Sequence, residues 1–254
     1  MVAEMVSANT FSICAVDPET GEAGVAVASC CLCVGALVAY AEAETGAVAT
    51  QATVNAVYGT RGLELLRAGH VPEEAIRLLT EEDVTVTPDD PEIRQRYAGE
   101  NLVREGDDFR ADRKTGKVTW FTSRIRQLGM VDRDGRAAAF TGACTRAWAG
   151  HVTGTGFCCQ GNLLTGPNVI AEMARAFEQA RLGANRLVKP LWAALAAGEA
   201  AGGDKRGKLA AAILVTRKRS HWTGGDRYCD IRVDAHPEAV RELGRILALG
   251  SFIQ

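Results

Sequence analysis

Thr10-Phe11-Ser12-Ile13-Cys14-Ala15-Val16-Asp17, then Pro18-Glu19-Thr20-Gly21, then Gly24-Val25-Ala26-Val27-Ala28-Ser29 is the stretch that decides the fold. Phe11 to Val16 alternates loosely and halts at a run of Pro, acid and Gly with turn chemistry, and the Val/Ala-rich stretch to Ser29 reads as a second strand. The pair is a β-hairpin. A third strand follows at Gly46 to Thr53. Arg61 to Ala68 and Pro72 to Thr80 then take helical spacing, with Pro72 suited to a first helical turn.

Further along, residues 84 to 124 are rich in Asp, Glu, Arg and Lys and lose core-forming periodicity, so they read as a surface insertion. Gln127 to Val131 and Arg136 to Thr141 flank Asp132-Arg133-Asp134-Gly135, where Asp-Gly suits a tight hairpin turn. His151 to Cys159 leads into Gln160-Gly161-Asn162-Leu163-Leu164-Thr165-Gly166, and Pro167 and Asn168 open a helix running to about Gln179. A second helix spans Leu187 to Ala201 and ends at Gly202-Gly203-Asp204. Leu209 to Thr216 and Tyr228 to Val233 read as paired strands around Gly224-Gly225, and His236 to Leu249 as a closing helix. Hairpins in place of alternating βα units argue for an α+β fold: two antiparallel sheets facing each other between helical layers.

With 254 residues, 47% hydrophobic and 6% aromatic, the chain is long enough for one domain with a full core. Twenty-nine basic against 31 acidic residues leave a net charge of -2, which implies no nucleic-acid surface. No apolar run reaches the ~18 to 20 residues of a membrane span, and Met1 to Val6 lacks the basic and apolar regions of a signal peptide. A cytoplasmic protein with no membrane partner is expected.

The eight cysteines, several on strand-like runs, lack the spacing of a secreted disulfide framework and read as reduced, buried thiols. Cys30, Cys31 and Cys33 with Cys158 and Cys159 are the one metal alternative. Cys30 and Cys33 keep a Cys-x-x-Cys spacing, but no second such pair accompanies them as structural zinc sites usually require, so neither metal nor cofactor is expected. A Cys30 nucleophile paired with His151 would need a cation or helix N-terminus that the sequence does not supply. Gly154-Thr155-Gly156 lacks the strand-to-helix setting of a phosphate loop.

Several segments together carry a family likeness: Thr10 to Ile13, Asp17 to Glu22, Gly24 to Ser29, Gly46 to Ala52, Tyr58-Gly59, Phe140 to Ala143, Trp148 to His151, Gln160 to Leu164, Gly202 to Lys208 and Gly225 to Tyr228. On these the chain resembles a bacterial domain family of unknown function with an Ntn-hydrolase-like fold. The resemblance implies a four-layer αββα sandwich, read here as a single domain over 1–254 with an N-terminal extension 1–9 and the insertion at about 84–124. Better-understood proteins of that fold, proteasome β-subunits among them, attack an amide carbonyl with an N-terminal Thr, Ser or Cys. Thr10 occupies that place.

A freed Thr10 would serve as nucleophile and, through an α-amine titrating near ~8, as its own base. No lysine precedes Lys114, so the base function falls on that amine alone. Backbone N–H groups near Thr50 and Gln51, on the third strand, and the Asn162 amide are the candidate oxyanion donors. Asp204 resembles the acid that orients the nucleophile's surroundings. Cys30, where related proteins of the fold hold an acid, and His151 would line the substrate site. Asn162 and Asp204 also have the ordinary reading of turn residues beside glycine, and His151 that of a packed, hydrogen-bonded histidine.

The expected function is therefore an amidohydrolase acting on a small amide, cyclic amide or peptide-like bond after removal of residues 1–9. The alternative is a noncatalytic binding or assembly protein with an unprocessed N-terminus. A homodimer or higher homo-oligomer is expected in either case.

Overall fold

A computed structural model describes residues 7–8, 10–86, 102–105, 109–112, 118–220 and 224–253. One sheet consists of β1 (Ser7–Ala8), β5 (Gly46–Thr53), β10 (Arg126–Asp132) and β11 (Ala137–Thr141), with β4 (Ala39–Glu42) also on β5. The second has the order β12 (Gly150–Gly154), β13 (Phe157–Gly161), β2 (Thr10–Asp17), β3 (Glu22–Ser29), β14 (Ala210–Thr216), β15 (Arg227–Val233). All their pairings are antiparallel. Helices α2 (Val57–Arg67) and α3 (Pro72–Glu82) cover the first sheet. The second carries α4 (Asn168–Arg181), α5 (Val188–Ala200) and α6 (Ala239–Leu249). The result is a four-layer sandwich.

Strand β2 has both faces buried. Phe11, Ile13 and Ala15 join the core beneath α4 and α5, while Cys14 and Val16 face the other sheet. Small residues on the helix-facing side of β3 let α5 come close: a Cβ on Gly24 would stand 2.8 Å from Leu191 Cδ1. The turn after Asp17 is held by its carboxylate, which accepts from Glu19 N at 3.0 Å and Thr20 Oγ1 at 2.8 Å, and this fixes the register that sets Thr10 opposite Ser29.

Three segments differ from the sequence reading. Residues between the second and third strands form a short helix, α1 (Val34–Val38), and β4, where Ala-rich sequence gives no clear period. His151 to Cys159 is the body of a complete hairpin, β12 with β13. The 84 to 124 segment builds a third antiparallel sheet from β6 (Val84–Val86), β9 (Val118–Phe121), β8 (Phe109–Asp112) and β7 (Leu102–Glu105), each strand too short to show a pattern. Its residues 87–101, 106–108 and 113–117 lie outside the described set, as do 1–6 and 9 of the N-terminal extension.

The base of that segment is pinned by Asp83 and Arg126, an ion pair of 2.9 Å with both side chains 11% exposed. Burial alone would raise the Asp83 carboxyl, but hydrogen bonds from Arg126, Thr122 and Tyr58 bring its pKa below the ordinary value. Arg126 Nη1 also donates to Thr53 O at 2.7 Å and closes the end of β5. Among the cysteines, all free, Cys14, Cys158, Cys159 and Cys229 are buried, whereas Cys33 and Cys144 are exposed and Cys30 and Cys31 intermediate. The expectation of eight buried thiols is corrected for the last four, which lie outside the strands.

Candidate functional site

Thr10 opens β2 at the end of the sandwich remote from the hairpin turn and is 0% exposed. Its carbonyl accepts from Asn162 N at 3.0 Å and from Gln51 Nε2 at 3.4 Å, so the strand start is gripped from both sheets. Chain topology makes this an unusual junction. Ser7 and Ala8 pair with Thr53 and Ala52 in the first sheet, and Thr10 pairs with Ser29 in the second, so the chain changes sheets between Ala8 and Thr10.

Behind Thr10 lies a buried set of amides that the sequence reading did not assemble. Ser12 Oγ donates to Gln51 Oε1 at 2.6 Å, and Gln160 Nε2 donates to Ser12 Oγ at 2.7 Å. Gln127 is the hub. Its Oε1 accepts from Gln51 Nε2 at 2.8 Å and Asn162 Nδ2 at 3.0 Å, while its Nε2 donates to Gly161 O at 2.8 Å and Thr141 Oγ1 at 2.9 Å. Amides serve here because each carries donor and acceptor together, which links the set without a buried charge, although Gln160 Oε1 is left without a partner.

Asn162 contributes to Thr10 through its backbone N–H, since a side-chain N–H is engaged by Gln127. Asp204 pairs with Leu164 in an isolated bridge. Its carboxylate accepts from Arg206 N at 2.9 Å, from the Arg206 guanidinium at 3.3 and 3.1 Å, and from Cys30 N at 3.4 Å. It thus secures the chain where β3 ends beside Thr10. Cys30 sits at that exit, and burial, with the Asp204 carboxylate, raises its thiol pKa against the opposing effect of Arg206. A thiol so held stays protonated at neutral pH, which argues against the Cys30 nucleophile.

Gln51 points between the sheets, whereas Thr50, its neighbour on a pleated strand, points the other way and donates to Asn55 O at 3.1 Å. The Thr50 side chain is therefore outside the cluster. Its backbone is not, because one edge of β5 is shared: β4 pairs with residues 46–49 and β1 with 52–53, leaving Thr50 and Gln51 between the two. His151 lies on exposed β12, its Nδ1 2.8 Å from Thr141 Oγ1. Gln127 Nε2 donates to the same oxygen, so the Thr141 hydroxyl joins the ring to the amide network. Partial desolvation lowers the imidazole pKa and favours the neutral ring. His151 thus ends the amide network and does not reach Thr10 directly through it.

Among the described residues six non-glycines have positive φ, and three of them adjoin this cluster: Ala52 beside Gln51, Leu163 beside Asn162, and Cys33 just beyond Cys30. Left-handed backbone at such residues costs of order 1–3 kcal/mol each and concentrates at functional sites. Among the described residues no group of three His, Cys, Asp or Glu side chains gathers to hold a metal, so the cysteine cluster does not form. No helix among them is long and apolar enough to cross a membrane.

A family model described as a family of unknown function, DUF1028, matches residues 10–98 and 98–243, and the chain belongs to that family. The two matched ranges meet at residue 98 and together span the whole segment read as an insertion. Comparison with curated proteins gave no match. The crystal structure of protein SPO2555 from Silicibacter pomeroyi, matched by the same family model, is similar at TM-score 0.70 and 29% identity, over 96% of this chain and 86% of that one.

Proposed function

We propose that this DUF1028 member is the precursor of an N-terminal-nucleophile amide hydrolase, activated by cleavage of its own Asn9–Thr10 bond. The observation that carries the reading is the position of Thr10: buried, first in a central strand, and one residue after the chain leaves the opposite sheet. In the precursor, Thr10 Oγ attacks the Asn9 carbonyl carbon, the peptide C–N bond breaks, and the nitrogen becomes the Thr10 α-amine. Water then hydrolyses the ester, and residues 1–9 leave with a new carboxylate.

The same hydroxyl, now served by that α-amine as base, attacks a substrate amide. The leaving amine takes the proton, and water releases the acyl group from Thr10. Donors for the oxyanion come from the edge of β5 at Thr50–Gln51, which β1 and β4 leave uncovered, while Gln127 fixes Gln51 and Asn162. In the uncut chain Thr10 has no exposed surface, whereas a cleft of about 390 Å3 opens at the far end of the sandwich, near Asp17 and Arg186, so cleavage is the step required to expose the nucleophile.

Intact mass and N-terminal sequencing over time are the test. Purified protein should convert to a chain beginning at Thr10, and Thr10→Ala should not. A wild-type chain that keeps Met1 or Val2 through prolonged incubation at neutral pH would sink the hydrolase reading in favour of a noncatalytic binding or assembly protein, for which β1 is a permanent edge strand.

A further inference from the structure

The N-terminal extension shows how the site is addressed. Its strand β1 lies on β5 with Ser7 opposite Thr53 and Ala8 opposite Ala52. Carried on, that register sets the next position opposite Gln51 and the one after opposite Thr50. There the track stops, because Ala39 of β4 takes the place opposite Ala49. At the other end β5 finishes with Thr53, whose carbonyl is taken by Arg126 Nη1 at 2.7 Å. The edge is therefore a slot with three positions leading up to a reacting bond and one beyond it. The position opposite Gln51 is beside Thr10, since Gln51 Nε2 reaches the Thr10 carbonyl.

We infer that this edge of β5 is the acyl-side subsite of the enzyme, and that the substrate is an extended, peptide-like amide which docks there as an antiparallel strand once residues 1–9 have left. The inference rests on Thr10 catalysis as proposed above. An open strand edge offers backbone N–H and C=O groups at fixed spacing, which recognise another extended backbone and add affinity for each residue paired. A compact or cyclic amide has no second or third residue to lay along it. The chain's own Ser7 and Ala8 are then the first occupants of the slot, delivered in cis.

Two anilides of the chain's own sequence make the comparison on self-cleaved wild-type protein: acetyl-Ser-Ala-Asn-anilide and acetyl-Asn-anilide. The longer one should have a kcat/KM higher by at least about tenfold, from two further paired residues. Equal values would overturn the subsite while leaving Thr10 catalysis intact.

A binding measurement separates the two ideas from the other side. In the full chain carrying Thr10→Ala, β1 is unseated by Ser7→Pro or by Ala8→Pro. Only one of these residues turns its N–H toward β5, so one proline should be disruptive and the other tolerated. NMR titration with acetyl-Ser-Ala-Asn-amide should show saturable binding to the disrupted variant and none to the Thr10→Ala parent. Binding there, with no hydrolysis by the wild type, supports the slot and removes the hydrolase. No binding by either proline variant removes the slot.

Discussion

The layer between the two sheets is built from opposite materials at its two ends. Toward the hairpin turn it is apolar and small: Cys14, Val16, Val25, Ala47, Ala49 and Val131 meet there as an ordinary core. Toward Thr10 it is made of Ser12, Gln51, Gln127 and Gln160, each 0% exposed, and Asn162 at 1%. Burying an amide costs free energy unless its hydrogen bonds are replaced, and even then the net gain per bond is small. Stability alone would have extended the Val and Ala packing. The amide end instead holds Thr10, Gln51 and Asn162 in fixed relation, and the contrast assigns stability to one end and positioning to the other.

Gln127→Leu should break the contrast most severely. The change keeps volume but removes the acceptor shared by Gln51 and Asn162 and the donor to Gly161 O. Several buried groups lose a partner at about 1–3 kcal/mol each, so a loss of roughly 2–5 kcal/mol is expected in denaturant unfolding. Conversion to the Thr10 chain, followed by mass spectrometry under native conditions, should slow by at least about tenfold, because roughly 1.4 kcal/mol of lost positioning suffices for that. Unchanged conversion in a folded variant would mean the amides serve packing only.

Val25→Ala is the matched experiment at the apolar end. Val25 is fully buried there, and removing two methyl groups should cost about 2 kcal/mol of stability, from lost transfer energy and a partly collapsed cavity. Conversion should stay within about twofold of wild type under conditions where both are folded. Should Val25→Ala slow conversion as much as Gln127→Leu, the division between the ends would fail.

How much of this was legible beforehand divides along the same line. Turn chemistry at Asp17 to Gly21 was enough to read the hairpin, and its strand order follows from hairpins and helices of ordinary length. Thr10, Asn162, Asp204, Gln51 and Cys30 were named from the family resemblance and do lie around one strand end. The amide hub was not legible. Gln127 and Gln51 are 76 residues apart, and Gln160 and Ser12 are 148 apart, so each reads alone as a polar residue in or beside a strand. One local trace existed in Gly129, a strand-interior glycine whose added Cβ would lie 2.1 Å from Gln160 Oε1. Such a glycine signals close approach without saying of what. Thr50 and Gln51 are paired as candidate donors through their backbone, and strand alternation sends only the Gln51 side chain into the cluster.

The smallest effect belongs to the buried carboxylate at the apolar end. Glu22 ends the hairpin opposite Asp17; its Oε2 accepts from Leu187 N at 2.8 Å, and Arg186 and Arg217 stand 3.4 and 3.6 Å from Oε1. Burial raises its pKa, and the Leu187 hydrogen bond and the two arginines only partly offset that. A carboxyl whose folded pKa is raised binds its proton more tightly in the folded state, so its contribution is most favourable below the unfolded pKa and is lost as pH rises through the folded value. Glu22→Gln keeps the acceptor for Leu187 N and removes the charge. It should raise stability at neutral pH by no more than about 1 kcal/mol, or about 2–4 °C in Tm for a chain of this size, with the gain vanishing at pH values below the carboxylate range. Thermal unfolding at neutral and acid pH reads this directly. A Tm lowered by the substitution at neutral pH would show that Arg186 and Arg217 outweigh burial, and that the apolar end, like the Thr10 end, uses its polar groups to hold position.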